Sequence, residues 1–556
     1  MVQSDHSVLL EVQHPRFEEV RDRLASFAEL VKSPEFVHTY RITPLSLWNA
    51  AAAGMTEGEI VAVLEENAKY DLPGNLLQEI RTALRRYGLV KLEQRDGELL
   101  LTSSDALVLQ ELSSYKSLRP YFTQRRPDGF AIPLHSRGLM KQELIRLGFP
   151  VEDLAGYGEG EPLPLKLREQ TRSGHAFSLR DYQQQAAAAF YAGGSAKGGS
   201  GVLVLPCGAG KTVIGISAMA LVQMATLILT TNVTSVRQWM QEILDKTDLD
   251  PSLIGEYTGS VKEVKPVTVS TYQILTYRPK KSDDFPHMGL FQERNWGLII
   301  YDEVHLLPAP VFRVTADIQA KRRLGLTATL VREDGREEDV FTLVGPKKVD
   351  VPWKQLERQG WIATAVCHEY RVPMSRRLRE EYARAQTRQK YRIAAENPLK
   401  MPLLLKLLKR HEGEQVLVIG QYLSQLEEVA ACTGAPLITG RTPQAEREAW
   451  YQRFRQGEAP VLIVSKVANF AIDLPDAAVA IQLSGTFGSR QEEAQRLGRI
   501  LRPKSGENQA CFYSLVTRDS RDQEFAMQRQ LFLVEQGYQY TLHDVEVEDA
   551  GESLPP

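Results

Sequence analysis

Apolar runs of three to five residues recur along most of this chain, each followed by good helix formers. That is the pattern of strands buried on both faces and joined by helices. In the middle of the chain such strands are predicted at 202–205, 227–229, 267–272, 298–300 and 324–329. Beyond about Trp353 the pattern restarts, with strands at 416–419, 461–464, 479–482 and 511–515. The chain therefore reads as α/β, with two parallel-sheet domains in tandem.

The front of the chain is patterned differently. A strand at 7–12 precedes a helix predicted over 15–31. Thr43 caps a helix over 43–53, with Pro44 at its first position and Gly54 closing it. Thr56 and Glu59 make a capping box for a helix to about residue 68. Another helix, 75–87, stops at Gly88, and strands at 89–93 and 98–102 flank the hairpin turn Asp96-Gly97. Three helices and a hairpin give the order of a winged helix, a module that binds DNA or mediates protein contacts. Residues 104–151 form a second small unit, read as α/β. There Lys116, Arg119, Arg125, Arg126, Arg137, Lys141 and Arg146 accompany Tyr121 and Phe122. The mixture suits a nucleic-acid backbone and its bases, or a solvated face. Glycine-rich 156–162 reads as a linker. The expected domains are 1–103, 104–165, 166–352, 353–530 and a tail at 531–556 that is acidic over 546–552.

Chemistry concentrates at the ends of the predicted strands. After 202–205 come Pro206, Cys207, Gly208, Ala209, Gly210, Lys211 and Thr212. The two glycines permit a tight loop whose N–H groups can surround a phosphate. Lys211 supplies charge for the β- and γ-phosphates, and Thr212 a hydroxyl for Mg²⁺. A helix starts directly afterwards, so its dipole faces the same anion. Leu205 stands where the strict phosphate-loop pattern has its first glycine. The strand at 298–300 runs into Tyr301-Asp302-Glu303-Val304-His305, where Asp302 can hold Mg²⁺ and Glu303 can polarise the attacking water. Together these stretches predict binding and hydrolysis of a nucleoside triphosphate.

Other candidates take their meaning from that loop. Gln183 carries an amide able to read an adenine edge, with Arg180 beside it. Thr230 and Thr231, and Ser270 and Thr271, put hydroxyls at two strand ends where phosphates of a nucleic acid could be gripped. Leu324–Thr329 ends in two more, Thr327 and Thr329. Segment 371–392 holds seven Arg and one Lys against two Glu, a solvated helical hairpin or a finger on a nucleic-acid backbone. Arg499 and Arg502, after Gln495, are three apart and share a helix face. They could neutralise charge at the γ-phosphate from the second α/β domain.

Composition narrows the setting. The 556 residues are 43 % hydrophobic and 25 % charged, with four scattered cysteines and a net charge of −3. No run approaches the ~18 apolar residues that span a membrane. The cysteines lack metal or disulfide spacing. The small net charge means that any nucleic-acid contact is made by local patches.

The motifs together resemble the superfamily 2 helicases and, within them, the XPB family of DNA repair helicases, in its compact bacterial form. The likeness rests on 205–212, Asp302–His305, 325–334 and 495–502, with Arg332, Glu333 and Asp334 the most family-specific triplet. Val37–Tyr40 and 43–48 extend it to the front of the chain. It implies two RecA-like motor domains, a damage-recognition-like domain before them, and a short basic thumb-like insertion near 371–400. It implies ATP-dependent 3′→5′ unwinding or translocation of DNA. Carried over, residues 206–212, Arg180, Gln183 and Asp473 bind ATP, while Thr212 and Asp302 hold Mg²⁺. Lys211, Asp302, Glu303, Gln495, Arg499 and Arg502 are catalytic. His305, Thr327 and Thr329 couple hydrolysis to domain closure, and Arg332, Glu333 and Asp334 face DNA at the strand junction. The expected setting is a monomer in the cytoplasm, at the nucleoid, acting on forked or junction DNA with a repair nuclease as a further partner. Two other readings stay open: an ATPase that remodels duplex without sustained unwinding, and a non-catalytic DNA-binding scaffold.

Overall fold

The computed structural model describes residues 1–32, 36–133, 136–195, 198–280, 285–318, 321–328, 337–465, 477–485, 493, 496–498, 500–501 and 508–546. Two compact units account for the chain. Residues 1–31, 35–205 and 210–351 form one, and 32–34, 206–209 and 352–556 form the other.

The first unit is built on a seven-stranded sheet. Its order is Ile254–Tyr257, Val267–Thr271, Thr226–Thr230, Leu298–Asp302, Arg322–Thr327, Ser200–Val204 and Lys347–Asp350, and every pair is parallel. The middle strands are apolar at successive positions because helices cover both faces, and Val202, Leu227, Ile228, Ile299 and Ile300 are fully buried. All strands run the same way, so their C-terminal ends share one edge, where the turns into helices carry the polar residues. The second unit repeats the plan. Leu437–Ile438, Val461–Ser465, Val416–Gly420, Val479–Gln482, Gln509–Thr517, Thr364–Val372 and Tyr540–Asp544 form another all-parallel sheet. These are two RecA-like domains.

The front of the chain departs from expectation in three ways. First, the helix expected over 15–31 is only Phe17–Leu24, and Glu29–Lys32 is a strand. Phe27, Ala28 and Leu30 are buried there, and an extended segment can put them inward where a continuous helix could not. Second, the hairpin turns at Asp96 and Gly97 with φ of 51° and 82°, as a primed turn requires, but it is not a free wing. Its strands are the centre of a five-stranded sheet that includes Gly129–Ile132 and Val151–Asp153. A division at 103 therefore falls between paired strands. Third, 156–162 is not a free tether. Glu161 pairs with Arg294, and its backbone bonds to Asn295 and Ala225 at 2.8 Å.

The small front elements are seated on helices of the first seven-stranded sheet. Helix Arg137–Arg146 lies so close to Ala309–Asp317 that a Cβ at Gly138 would meet the Ala316 carbonyl oxygen at 2.2 Å. Asp153 accepts from Arg137 at 2.7 Å and from Lys141 at 3.0 Å, and Gln142 donates to Asp339 at 2.9 Å. At the other end, the expected tail is folded to residue 546. Helix Arg521–Glu535 and strand Tyr540–Asp544 belong to the second unit, with Tyr538 and Val545 buried.

Candidate active site

The site of the first unit lies at the C-terminal edge of its sheet. Leu205, in place of the usual glycine, is fully buried and donates its N–H to the Thr327 carbonyl at 2.9 Å. It prolongs the strand before the loop turns. Gly208 and Gly210 then take φ of 80° and 78°, a conformation that costs glycine nothing. Helix Lys211–Val222 starts at once, so its first N–H groups open toward the loop. Gln183 is buried beside it: its Nε2 would lie 2.6 Å from a Cβ at Gly210, and its Oε1 accepts from the Arg180 N–H at 3.0 Å.

Opposite the loop, Leu298–Asp302 delivers the acidic pair. Lys211 Nζ donates to Glu303 Oε1 at 2.9 Å. Glu303 itself sits at φ 50°, ψ 53°, a left-handed conformation that a glutamate adopts only when its surroundings demand it. That kink turns consecutive carboxylates in different directions. Asp302 accepts from Trp239 Nε1 at 2.9 Å and from its neighbour's N–H at 3.1 Å, with Thr230 Oγ1 at 3.5 Å. Burial, then the adjacent Glu303 charge, push the Asp302 carboxyl up to about 6, against the pull of Lys211 and the indole N–H. Such a carboxylate gains from a cation. With the Thr212 hydroxyl one residue past Lys211, the donor set fits Mg²⁺.

A second link runs from the acidic pair to the neighbouring strand. His305 Nδ1 and Thr327 Oγ1 are 2.7 Å apart, both buried, and the same ring nitrogen is 3.5 Å from Glu303 Oε2. The expected coupling pair His305 and Thr327 is thus in contact with the glutamate expected to handle water.

These elements match known families along most of the chain. Residues 356–552 match the ERCC3/RAD25/XPB C-terminal helicase model, 176–332 the type III restriction enzyme res subunit model, and 1–126 the helicase conserved C-terminal domain model. The chain is 53 % identical to the DNA 3′-5′ helicase XPB of Mycobacterium tuberculosis, covering 98 % of each. It is 51 % identical to that of Kineococcus radiotolerans over 99 % of this chain and 97 % of the relative. A more distant relative is the general transcription and DNA repair factor IIH helicase/translocase subunit XPB of Enterocytozoon bieneusi, 32 % identical over 96 % and 91 %. The chain belongs to the XPB helicase family.

Not every expected site residue is placed at this edge. Thr230, Ser270 and Thr271 are buried, so their side chains are not on the surface. The Thr230 hydroxyl faces Asp302, and that of Thr271 caps a short helix by accepting from the Ile274 N–H at 3.3 Å. Only Thr231 of the four is half-exposed, with its carbonyl held by Gln273. Thr329, Arg332, Glu333, Asp334, Asp473, Gln495, Arg499 and Arg502 lie outside the described residues. The basic segment 371–392 is in part strand, with Arg371 paired to Glu369 at 2.7 Å. The rest is the helical hairpin Arg376–Arg384 and Thr387–Ala395, on which the Arg376 side chain is 94 % exposed.

Sequence reasoning missed Trp239 and Tyr272. Trp239 sits in step with Val236 and Ile243 on the buried stripe of its helix, which reads as core. Its signal was indirect: Gly215, in an otherwise apolar helix, leaves room for the indole, whose ring a Cβ there would meet at 2.5 Å. Tyr272 donates its hydroxyl to the Asp302 carbonyl at 2.9 Å, and nothing in the sequence marked it.

Proposed function

We propose that this XPB-family chain is an ATP-driven 3′→5′ DNA helicase or translocase, working on forked or junction DNA in repair. The observation that carries the reading is the meeting of Lys211, Glu303 and Asp302, from two different strand ends, at one edge of a parallel sheet. The loop N–H groups and Lys211 bind the triphosphate, with Gln183 and Arg180 near the base and Asp473 reading nucleotide from the second unit. Mg²⁺, held by Thr212 and Asp302, supplies charge neutralisation at the phosphates when bound. Glu303 orients water and takes its proton, while Arg499 and Arg502, with Gln495, stabilise charge developing at the γ-phosphate. His305 and Thr327 carry the change at Glu303 to the adjacent strand, and Thr329 continues that path.

Thr231, the basic hairpin and the Arg332-Glu333-Asp334 triplet form the DNA side. Thr230, Ser270 and Thr271 support it from below. The protein works as a monomer at the nucleoid, alongside a nuclease that cuts the opened strand. ATP turnover with and without forked DNA tests the reading. Strong stimulation by DNA and loss in Lys211→Ala are expected, and DNA-independent or absent turnover contradicts it.

A further inference from the structure

The second unit holds a chain of buried charge beneath the segment that carries Gln495, Arg499 and Arg502. Of that segment the described residues Glu493, Arg496, Leu497, Ile500 and Leu501 are 0, 2, 0, 0 and 0 % exposed, and Gly498 is buried as well. Glu493, Arg496, Leu497 and Ile500, at i, i+3, i+4 and i+7, share one helix face. In sequence Gln495, Arg499 and Arg502 recur at i, i+4 and i+7, out of step with that set.

Gln482, at the end of Val479–Gln482, holds two members of this face. Its Nε2 donates to Glu493 Oε2 at 3.0 Å, and its Oε1 accepts from Arg496 Nη1 at 2.5 Å. Glu493 also lies 3.6 Å from Arg529 Nε and 3.5 Å from the Tyr540 hydroxyl. Arg529, on the Arg521–Glu535 helix, reaches Asp522 at 3.9 Å, and Asp522 accepts from Lys400 at 2.7 Å. Lys400 donates in turn to the Leu483 carbonyl at 2.9 Å. Gly485 passes directly against the guanidinium, since a Cβ there would lie 2.3 Å from Arg529 Cζ.

Glu493, Arg496, Arg529, Asp522 and Lys400 are each at most 2 % exposed. Removing such charges from water costs more than their attraction need return, and well-packed apolar residues would stabilise as much. What apolar residues would not do is fix direction. A carboxylate held by the Gln482 amide at 3.0 Å, with the Tyr540 hydroxyl at 3.5 Å and the Arg529 guanidinium at ion-pair distance, 3.6 Å, restrains the rotation of the helix turn that bears it.

We propose that Glu493 and Arg529 are positioning residues for ATP hydrolysis, setting the segment that carries Arg499 through a buried ionic chain to the helix Arg521–Glu535. The inference rests on the reading of Arg499 as the residue that reaches the γ-phosphate. It gives the last helix and strand of the second unit a part in turnover, although neither is expected to touch nucleotide.

The test uses the full chain and compares wild type with Glu493→Gln, Arg529→Lys, Arg499→Ala and the double variant Arg499→Ala/Glu493→Gln. DNA-stimulated turnover and affinity for a non-hydrolysable ATP analogue are measured for each. Glu493→Gln keeps the shape and loses the charge. Its kcat should fall about 10²-fold, as a displaced reacting group costs, with analogue affinity unchanged. In the Arg499→Ala background the same change should cost nothing more, because a residue acting through another has no effect once that one is gone. Normal turnover in Glu493→Gln, a loss that multiplies that of Arg499→Ala, or a loss residing in analogue affinity overturns the positioning role. Normal turnover in Arg499→Ala overturns the reading beneath it as well. Should Glu493→Gln fail to fold, Arg529→Lys decides alone: it keeps the buried charge but not the fork, so a several-fold loss in kcat is expected and a wild-type kcat contradicts the proposal.

Discussion

Lys211 and Glu303 neutralise one another at the C-terminal edge of the first sheet: Nζ and Oε1 are 2.9 Å apart, and the side chains are only 13 % and 19 % exposed. A phosphate arriving at the loop has to compete with Glu303 for the lysine. On the proposed function Glu303 is then both the group that prepares water and a brake on ATP binding.

Glu303→Gln should therefore tighten ATP while abolishing its hydrolysis. Weakening one charged hydrogen bond to Lys211 is worth roughly tenfold in affinity, and losing a general base about 10²–10⁴-fold in turnover. Titration of a fluorescent nucleotide alongside turnover reads both. Weaker binding in the variant would show that the ion pair does not oppose the phosphate.

Trp239→Phe removes the indole donor from Asp302 and keeps most of the ring that fills the space beside Gly215. The carboxyl, already raised, should rise further, and Mg²⁺ should bind less well. The Mg²⁺ concentration for half-maximal turnover should increase about tenfold, the worth of one hydrogen bond to a charged acceptor. An unchanged Mg²⁺ requirement would detach Trp239 from the site.

Much of this was legible in the sequence. The two sheets follow from apolar runs that only a doubly covered parallel strand can bury. The Gly208–Thr212 loop and the Asp302-Glu303 tip declared themselves because their residue types are costly anywhere else. What stayed hidden depends on contacts between distant elements. Helix Arg137–Arg146 has cations that read as a surface patch, yet Arg137 and Lys141 are buried on Asp153. Strand Tyr540–Asp544 alternates polar and apolar residues weakly, and only its pairing with Thr364–Val372 makes it a strand. Thr230 and Thr271 read as surface hydroxyls, because a strand's end is visible in sequence but its depth is not.

The contact at Gly138 changes the expectation for truncation. A free linker at 156–162 would let residues 1–165 be removed without harm, whereas the front elements pack on the first seven-stranded sheet's helices within one compact unit. A chain starting at 166 should expose the apolar and charged faces left behind and aggregate or melt early. Gly138→Val, which forces a methyl into the Ala316 backbone, should lower the melting temperature and open the junction to protease. A truncated chain with the melting temperature of the intact protein would contradict this.

Asp153 gives that junction a pH signature. Burial opposes its ionisation, but Lys141 and Arg137 outweigh burial and hold its carboxyl well below the usual range. A depressed folded pKa stabilises above the unfolded value, about 3.9, and that contribution fades as pH falls toward the folded value. Asp153→Asn should cost about 3 kcal/mol at neutral pH, the lower end for breaking a buried pair. The gap to wild type should hold down to about pH 4 and narrow below it. Denaturant melts at several pH values measure it, and a gap that widens in acid reverses the sign.

The proposed function has nucleotide chemistry at the Lys211–Glu303–Asp302 edge drive directional opening of DNA. The most direct measurement is strand displacement from duplexes bearing a single 3′ or a single 5′ tail, using wild type and Lys211→Ala with ATP and Mg²⁺. Wild type should release the strand from the 3′-tailed duplex alone, and only with ATP, while Lys211→Ala binds the same DNA and releases nothing. Displacement without ATP, equal displacement from the 5′-tailed duplex, or unimpaired displacement by Lys211→Ala would contradict this role.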